Sequence, residues 1–243
     1  MNSYNLKYFQ YNDNSLLISW PERIDENINN DVNEFKKRLE TGFKYILEIR
    51  SSYCSLLLIF NKKINNINKL IEKLKNLYLS RKSLSKYDRI LWNIPVCYEN
   101  SFALDIDIIS KQNKISKEDI IVRHSKTIYS IYLIGFLPGF MYLGGLDNAL
   151  HTPRKEEPRL RVPKGSVAIG GEQTGIYPQQ SPGGWNILGN TPINLFDKSK
   201  DTPCFAKPGD KVKFFQVSED QYKLIEKEVE FGLYELNKEV LND

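Results

Sequence analysis

Between Asn27 and Glu40 the apolar residues Ile28, Val32, Phe35 and Leu39 recur at helical spacing, and the positions between them are mostly polar. Such a stripe predicts an amphipathic helix with one buried face. A second stripe, Ile67, Leu70, Ile71, Leu74, Leu77 and Tyr78, predicts another. Around these helices the period shortens. Leu6, Tyr8 and Gln10–Tyr11 suggest a first strand, and SLLISW (Ser15–Trp20) a second. FKYILEIRSS (Phe43–Ser52) and YCSLLLIF (Tyr53–Phe60) read as two more strands, close enough in sequence for a hairpin. The order ββαββα lets one sheet bury the apolar stripe of both helices on a single face. Residues 1–82 are therefore expected to form a small two-layer α+β domain.

The polar segment SRKSLSKYD (Ser80–Asp88) reads as a linker. Beyond it the pattern changes to many short strands. RILWNIPVCY (Arg89–Tyr98) and TIYSIYLIGF (Thr127–Phe136) are expected strands, with helices near Asp105–Lys111 and after a Ser116 cap between them. SVAIGG, TGIYP, WNILG, INLFD (Ile193–Asp197) and KVKFFQV (Lys211–Val217) complete the set. Short strands separated by turn signals predict a β-barrel or closed sandwich over residues 89–217. From Ser218 to Lys238 the residues Tyr222, Ile225, Val229 and Leu233 share a helical face, so residues 218–243 read as a helical tail.

The barrel half contains an unusual stretch. Gly135–Pro192 holds 11 of the 14 glycines and 7 of the 11 prolines, yet it carries Phe136, Phe140, Tyr142, Tyr177 and Trp185. Glycine and proline oppose helix, so short strands and shaped loops are expected there. Loops on a rigid scaffold are where binding groups usually sit.

Composition narrows the function classes. A net charge of +4, scattered along the chain, argues against nucleic acid. No apolar run approaches the roughly 20 residues that span a bilayer, and the first residues lack the charged and apolar regions of a signal peptide. Cys54, Cys97 and Cys204 are odd in number and far apart, which fits a reducing cytoplasm better than a disulfide framework. With only His124 and His151 and no CxxC, no metal site is expected. Neither GxxxxGK[ST] nor GxGxxG occurs.

Candidate chemistry gathers in HTPRKEEPRLRVPKG (His151–Gly165), where five cations face two glutamates and three prolines stiffen the chain. Arg154 and Arg159 on such a loop suit capture of a carboxylate or phosphate. The alternative is that these arginines are solvated or pair with Glu156 and Glu157. His124 is a candidate acid or base, since histidine titrates near neutrality, although its position alone favours the plainer reading of a helix C-terminal cation. Gln173 and Tyr177 are candidate polar contacts. Gly183 and Gly184 would allow close ligand approach, and Trp185 would either stack on a ligand or fill the core.

The strings GFLPGFMYLGGL, HTPRKEEPRLRVPKGSVAIGG, QTGIYPQQSPGGWNILGNTPINLFD and PGDKVKF, in that order, resemble the B-subunit family of bacterial ATP-dependent 5-oxoprolinase. That family is also called allophanate hydrolase subunit 1, or carboxyltransferase subdomain 1 of urea amidolyase, and includes the sporulation histidine-kinase inhibitor of bacilli. The match is dense over residues 124–214 and thinner over 4–123. The resemblance implies a cyclophilin-like β-barrel after the α+β domain. It implies a non-autonomous hydrolase subunit that turns 5-oxoproline into glutamate with ATP, beside a carboxyltransferase-type C subunit and a lactam-utilisation-type A subunit. Two alternatives follow from the same resemblance: an inhibitor whose partner is a sensor histidine kinase, and half of a urea- or allophanate-type biotin-dependent carboxyltransferase. On the matching motifs, His124 and Arg159 are placed as catalytic, and Arg154, Gln173, Tyr177, Gly183, Gly184 and Trp185 as substrate-binding. The chain departs from the family at YNDNSLL, at CYENSFALDID, and in a longer tail after Val217.

Overall fold

The computed structural model describes residues 4–80 and 88–242. These fall into two compact units, and most of the expected linker, residues 81–87, lies outside the described residues.

The first unit runs β1 (Lys7–Asn12), β2 (Ser15–Ser19), α1 (Glu26–Gly42), β3 (Ile46–Ser51), β4 (Ser55–Phe60), α2 (Ile67–Leu79). This is the order that the two helical stripes and four short runs predict. The strands lie β1-β2-β4-β3, all antiparallel. Leu16 and Ile18 of β2 and Leu56, Leu58 and Phe60 of β4 meet Ile28, Val32, Phe35 and Leu39 of α1 and Leu74 of α2 in one apolar cluster. Both helices start on side-chain caps: the Asp25 carboxylate accepts from the Asn27 and Ile28 amides, and the Asn66 side chain from the Lys69 amide. Capping satisfies donors that the first helical turn leaves without partners.

The second unit begins with β5 (Asp88–Cys97), then α3 (Ile106–Asn113), α4 (Lys117–Lys126), β6 (Ile128–Ile134) and β7 (Met141–Gly144). It continues through β8 (Arg159–Val162), β9 (Ser166–Gly170), β10 (Gln173–Ile176), β11 (Ser181–Gly183), β12 (Asn186–Asn190), β13 (Lys211–Val217), α5 (Glu219–Glu230) and β14 (Lys238–Asn242). Seven strands pair in the order β12-β9-β10-β7-β6-β13-β5, and Cys97 of β5 pairs with Asn190 of β12 to close a barrel. β13 lies parallel to β5, whereas the other pairings around the barrel are antiparallel. The ten-residue β5 is long enough to join β12 at one end and β14 along the other. Ser116 accepts from the Asp119 amide and starts α4, the expected cap.

β9, β10 and β12 are buried at every position. Strand side chains alternate between faces, so these strands are covered on both. Val167, Ile169 and Leu188 point into the barrel core. Ala168 and Ile187 belong to a separate cluster with Phe140, Val162, Tyr177 and Trp185. The two-stranded β8–β11 ribbon contributes Val162 to that cluster.

Two expectations are corrected. INLFD forms no strand: Ile193 and Leu195 are buried and Asn194 is exposed, an alternation that mimics a strand without any ladder. Thr191 and Pro192 open this segment, and proline cannot donate a ladder hydrogen bond. The helix read over Ser218–Lys238 stops at Glu230, where Gly232 takes a left-handed φ of +70°, and Lys238–Asn242 returns as β14. Tyr222, Ile225 and Val229 do pack inward, but Leu233, past the helix end, is 73% exposed.

Candidate functional site

The glycine- and proline-rich stretch supplies one wall of the barrel and the layer outside it. On the inner side lies His124. It is fully buried, its Nδ1 lies 2.8 Å from the Tyr98 hydroxyl and its Nε2 lies 2.9 Å from Thr174 Oγ1. The Thr174 hydroxyl donates onward to the Ala168 carbonyl at 3.1 Å. The imidazole stacks on Phe214 with ring centroids 4.7 Å apart. Burial lowers its pKa to about 3, so the ring is neutral at physiological pH. The acid/base role expected for His124 does not fit this geometry, because both ring nitrogens are engaged and the ring is shut off from solvent.

On the outer side, Trp185 packs edge-on to Phe140 and Tyr142, and Phe140 packs edge-on to Tyr177. The Arg154 guanidinium lies 5.7 Å above the Trp185 ring. Trp185 is only 4% exposed, so it fills this cluster rather than offering an open stacking surface. Tyr177 is buried as well, and burial raises the pKa of Tyr142 and Tyr177, keeping both phenols neutral. Arg154 is exposed and is the charge felt by both phenols. Arg154 is thus the exposed cation of this cluster, and a guanidinium can hold a carboxylate through paired hydrogen bonds. Phe136, with φ of +64° and an exposed ring, stands edge-on to Phe140 beside this cluster. A bulky residue in left-handed backbone is strained, and such strain gathers at binding sites.

Gly183 serves packing rather than ligand approach, since a Cβ there would sit 2.4 Å from the Tyr177 hydroxyl. The Gly184 carbonyl accepts the Lys155 amide at 2.7 Å and ties the loop to the β11 end. Gln173 is buried on β10, paired opposite Gly170 of β9. The structure therefore gathers Arg154, Tyr177, Gly183 and Trp185, leaves Gln173 within the wall, and sets His124 on the inner side.

Arg159 has a partner that the sequence did not disclose. Its guanidinium donates twice to the Asp105 carboxylate, at 2.6 and 2.8 Å. Lys155 approaches the same carboxylate at 2.9 Å, and the Ile187 amide donates to it at 2.8 Å. Asp105 is 0% exposed. Burial is the largest single influence on it and pushes its pKa up. The hydrogen bonds from Arg159, Ile187 and Lys155 together outweigh burial and hold the pKa below the usual carboxylate value. Asp105 precedes α3, the place of a helix cap, but makes no side-chain cap, because its oxygens are committed to the loop. Neither Glu156 nor Glu157 pairs with the arginines among the described residues. Arg159 is thus an anchor of the proline-stiffened loop, with Lys155 beside it, while Arg154, Arg161 and Lys164 are the loop's exposed cations, and Arg154 is the one that lies over the Trp185 ring. Asp105 was missed because its partner lies 54 residues away, and no local pattern links them.

Among the described residues no three His, Cys, Asp or Glu side chains gather as a metal site, and no helix is long and apolar enough to cross a membrane.

A family profile described as the carboxyltransferase domain, subdomain C and D, matches residues 6–206. The chain is 34% identical over 230 residues to the 5-oxoprolinase B subunit of Bacillus subtilis, covering 90% of this chain and 96% of that one. This chain belongs to the 5-oxoprolinase B-subunit family. The family member from Haemophilus influenzae, also a 5-oxoprolinase B subunit, is 44% identical over 158 residues, 65% of this chain and 74% of that protein. The crystal structure of Kluyveromyces lactis urea amidolyase superposes on 98% of this chain with a TM-score of 0.80 at 23% identity. That likeness is one of fold, and it covers 16% of the yeast chain. The family fold therefore recurs as one part of a far longer protein.

Proposed function

We propose that this chain is the B subunit of a heteromeric 5-oxoprolinase, which converts 5-oxo-L-proline to L-glutamate with ATP hydrolysis, together with a C subunit and an A subunit. The observation that carries this reading is colinearity along nearly the whole length of the Bacillus subtilis B subunit. The site is consistent with it. Arg154, exposed above Trp185 and felt by the neutral phenol of the half-buried Tyr142, suits the carboxylate of a small lactam acid. His124 lies out of reach of any substrate, so proton transfer and phosphoryl chemistry are assigned to the assembled enzyme rather than to this chain alone. ATP enters as a cosubstrate of the complex.

A second reading, half of a biotin-dependent carboxyltransferase, draws on the fold likeness to urea amidolyase. One experiment separates them. Glutamate release from 5-oxoproline and ATP is measured with the C and A subunits, with and without this chain. Turnover that requires the chain supports the proposal. Folded, associated partners that turn over equally well without it, or stay inactive with it, would sink the proposal. Carboxyl transfer from carboxybiotin to urea in the same mixture would establish the second reading.

A further inference from the structure

The α+β unit contains a cavity that shares no lining residue with the candidate site on the barrel. Its volume is about 270 Å³, and it lies between the start of β3, the end of β4 and the first turns of α2. Phe43, Phe60, Ile64 and Leu70 supply apolar lining, and the exposed Tyr45 ring stands at its wall. Lys62, Lys63, Lys69 and Lys73 line it too, and no aspartate or glutamate does. Lys63 is taken, paired to Asp13 at 2.8 Å. Lys62, Lys69 and Lys73 have no carboxylate partner among the described residues.

Helix α2 gains nothing from this arrangement. Lys69 sits in its first turn, at the positive end of the helix dipole, where a cation is disfavoured. Lys69 and Lys73 stand one turn apart on the same face, a like-charge spacing that weakens a helix. No acidic residue occupies the first turn to offset them, whereas α1, α4 and α5 each place one or two there. Where a sequence departs from local rules without a compensating interaction, a ligand is a physical reason for it.

We propose that this cavity binds a phosphorylated ligand with a flat apolar body. The body rests on Phe43, Phe60 and Tyr45, and the phosphate lies among Lys62, Lys69 and Lys73. Three unpaired cations call for an anion of more than one charge, which a phosphate ester supplies and a single carboxylate does not. The apolar walls exclude a bare inorganic anion as the best fit. Two sources share this chemistry, a nucleotide and a non-nucleotide aryl phosphate.

The test uses the whole chain without partners, so it stands or falls apart from 5-oxoproline turnover. Binding of N-methylanthraniloyl-ATP and of 1-naphthyl phosphate is followed by fluorescence at low salt, with inorganic phosphate as competitor. Saturable binding of either probe is expected. K69E/K73E should weaken it about tenfold or more, since removing one charge-assisted hydrogen bond costs about that factor. Y45A weakens it severalfold by removing the wall of the body site. Both changes lie on exposed side chains, and an unchanged melting temperature shows that the variants fold. Preference for the ATP probe identifies a nucleotide, and preference for the naphthyl probe an aryl phosphate. Absent binding of both probes overturns the proposal. So does binding unchanged in K69E/K73E, or inorganic phosphate competing as well as the aromatic probes with Y45A silent.

Discussion

Asp31 of the α+β unit and Asp105 of the barrel unit are both buried carboxylates, and they are satisfied by opposite kinds of donor. Asp31, in the α+β unit, accepts from Trp20 Nε1 at 2.7 Å and from the Tyr78 hydroxyl at 2.5 Å. Those donors are neutral and belong to the core itself: Trp20, Phe35 and Tyr78 pack edge-on around them. Asp105, in the barrel unit, accepts from one arginine, one lysine and one backbone amide, and both cations come from a surface loop. With neutral donors, Asp31 fastens a core. With cationic donors, Asp105 fastens a loop. Lys155 and Arg159 are held in this way, and Arg154, Arg161 and Lys164 stay exposed.

Isosteric substitution breaks this comparison most sharply. D105N should destabilise the protein by about 3 kcal/mol, near the low end for a broken buried pair because Arg159 stays partly in solvent. D31N keeps an oxygen for its two neutral donors and should cost about 1 kcal/mol, the difference between a charged and a neutral acceptor. Urea denaturation measures both. D105N should also raise tryptic cleavage in residues 151–165, and D31N should not; equal losses from the two variants would refute the distinction.

Acid titration sharpens it further. The folded pKa of His124, about 3, lies below its unfolded value near 6.5. The unfolded state therefore takes up the proton first, and stability falls as pH drops from about 6.5, by about 1.4 kcal/mol per pH unit. Asp105 has a depressed folded pKa, so its contribution is present above the unfolded value, about 4, and is lost as pH falls through the folded value. Two acid limbs are expected. H124Q should start from a lower baseline yet lose the upper limb, and D105N should lose the lower one. Chemical denaturation at a series of pH values reads each slope, and an unchanged upper limb in H124Q would show that another group governs it.

The smallest effect on stability belongs to R154A, about 0.5–1 kcal/mol for an exposed cation above an indole. Its effect on function should be larger. On the proposed reading, in which Arg154 holds the substrate carboxylate, R154A in the assembled enzyme should raise KM for 5-oxoproline more than it lowers kcat. A variant with wild-type KM would remove Arg154 from the site.

Much of the α+β unit was legible because its information is local. Ile28, Val32, Phe35 and Leu39 mark a buried face by spacing alone, and one buried face per helix leaves few ways to pack. The barrel resisted where both faces of a strand are covered. β7 and β11 have four and three residues, too short to show a period, and β14 lies past a glycine that ends the preceding helix. INLFD misled for the converse reason, carrying strand-like alternation with no partner to pair with.

The site divides along the same line. Its residue inventory, Arg154, Arg159, Tyr177, Gly183 and Trp185, was present in one punctuated stretch, because loops that must bend tightly and still bury aromatic rings need glycine and proline beside them. What each residue does depends on partners far along the chain. Barrel closure brings Asp105 to Arg159 and places Tyr98 and Thr174 against His124, across 54, 26 and 50 residues. Charge and burial decide whether a cation meets a ligand or anchors a loop. Both are properties of surroundings that only the folded chain assembles.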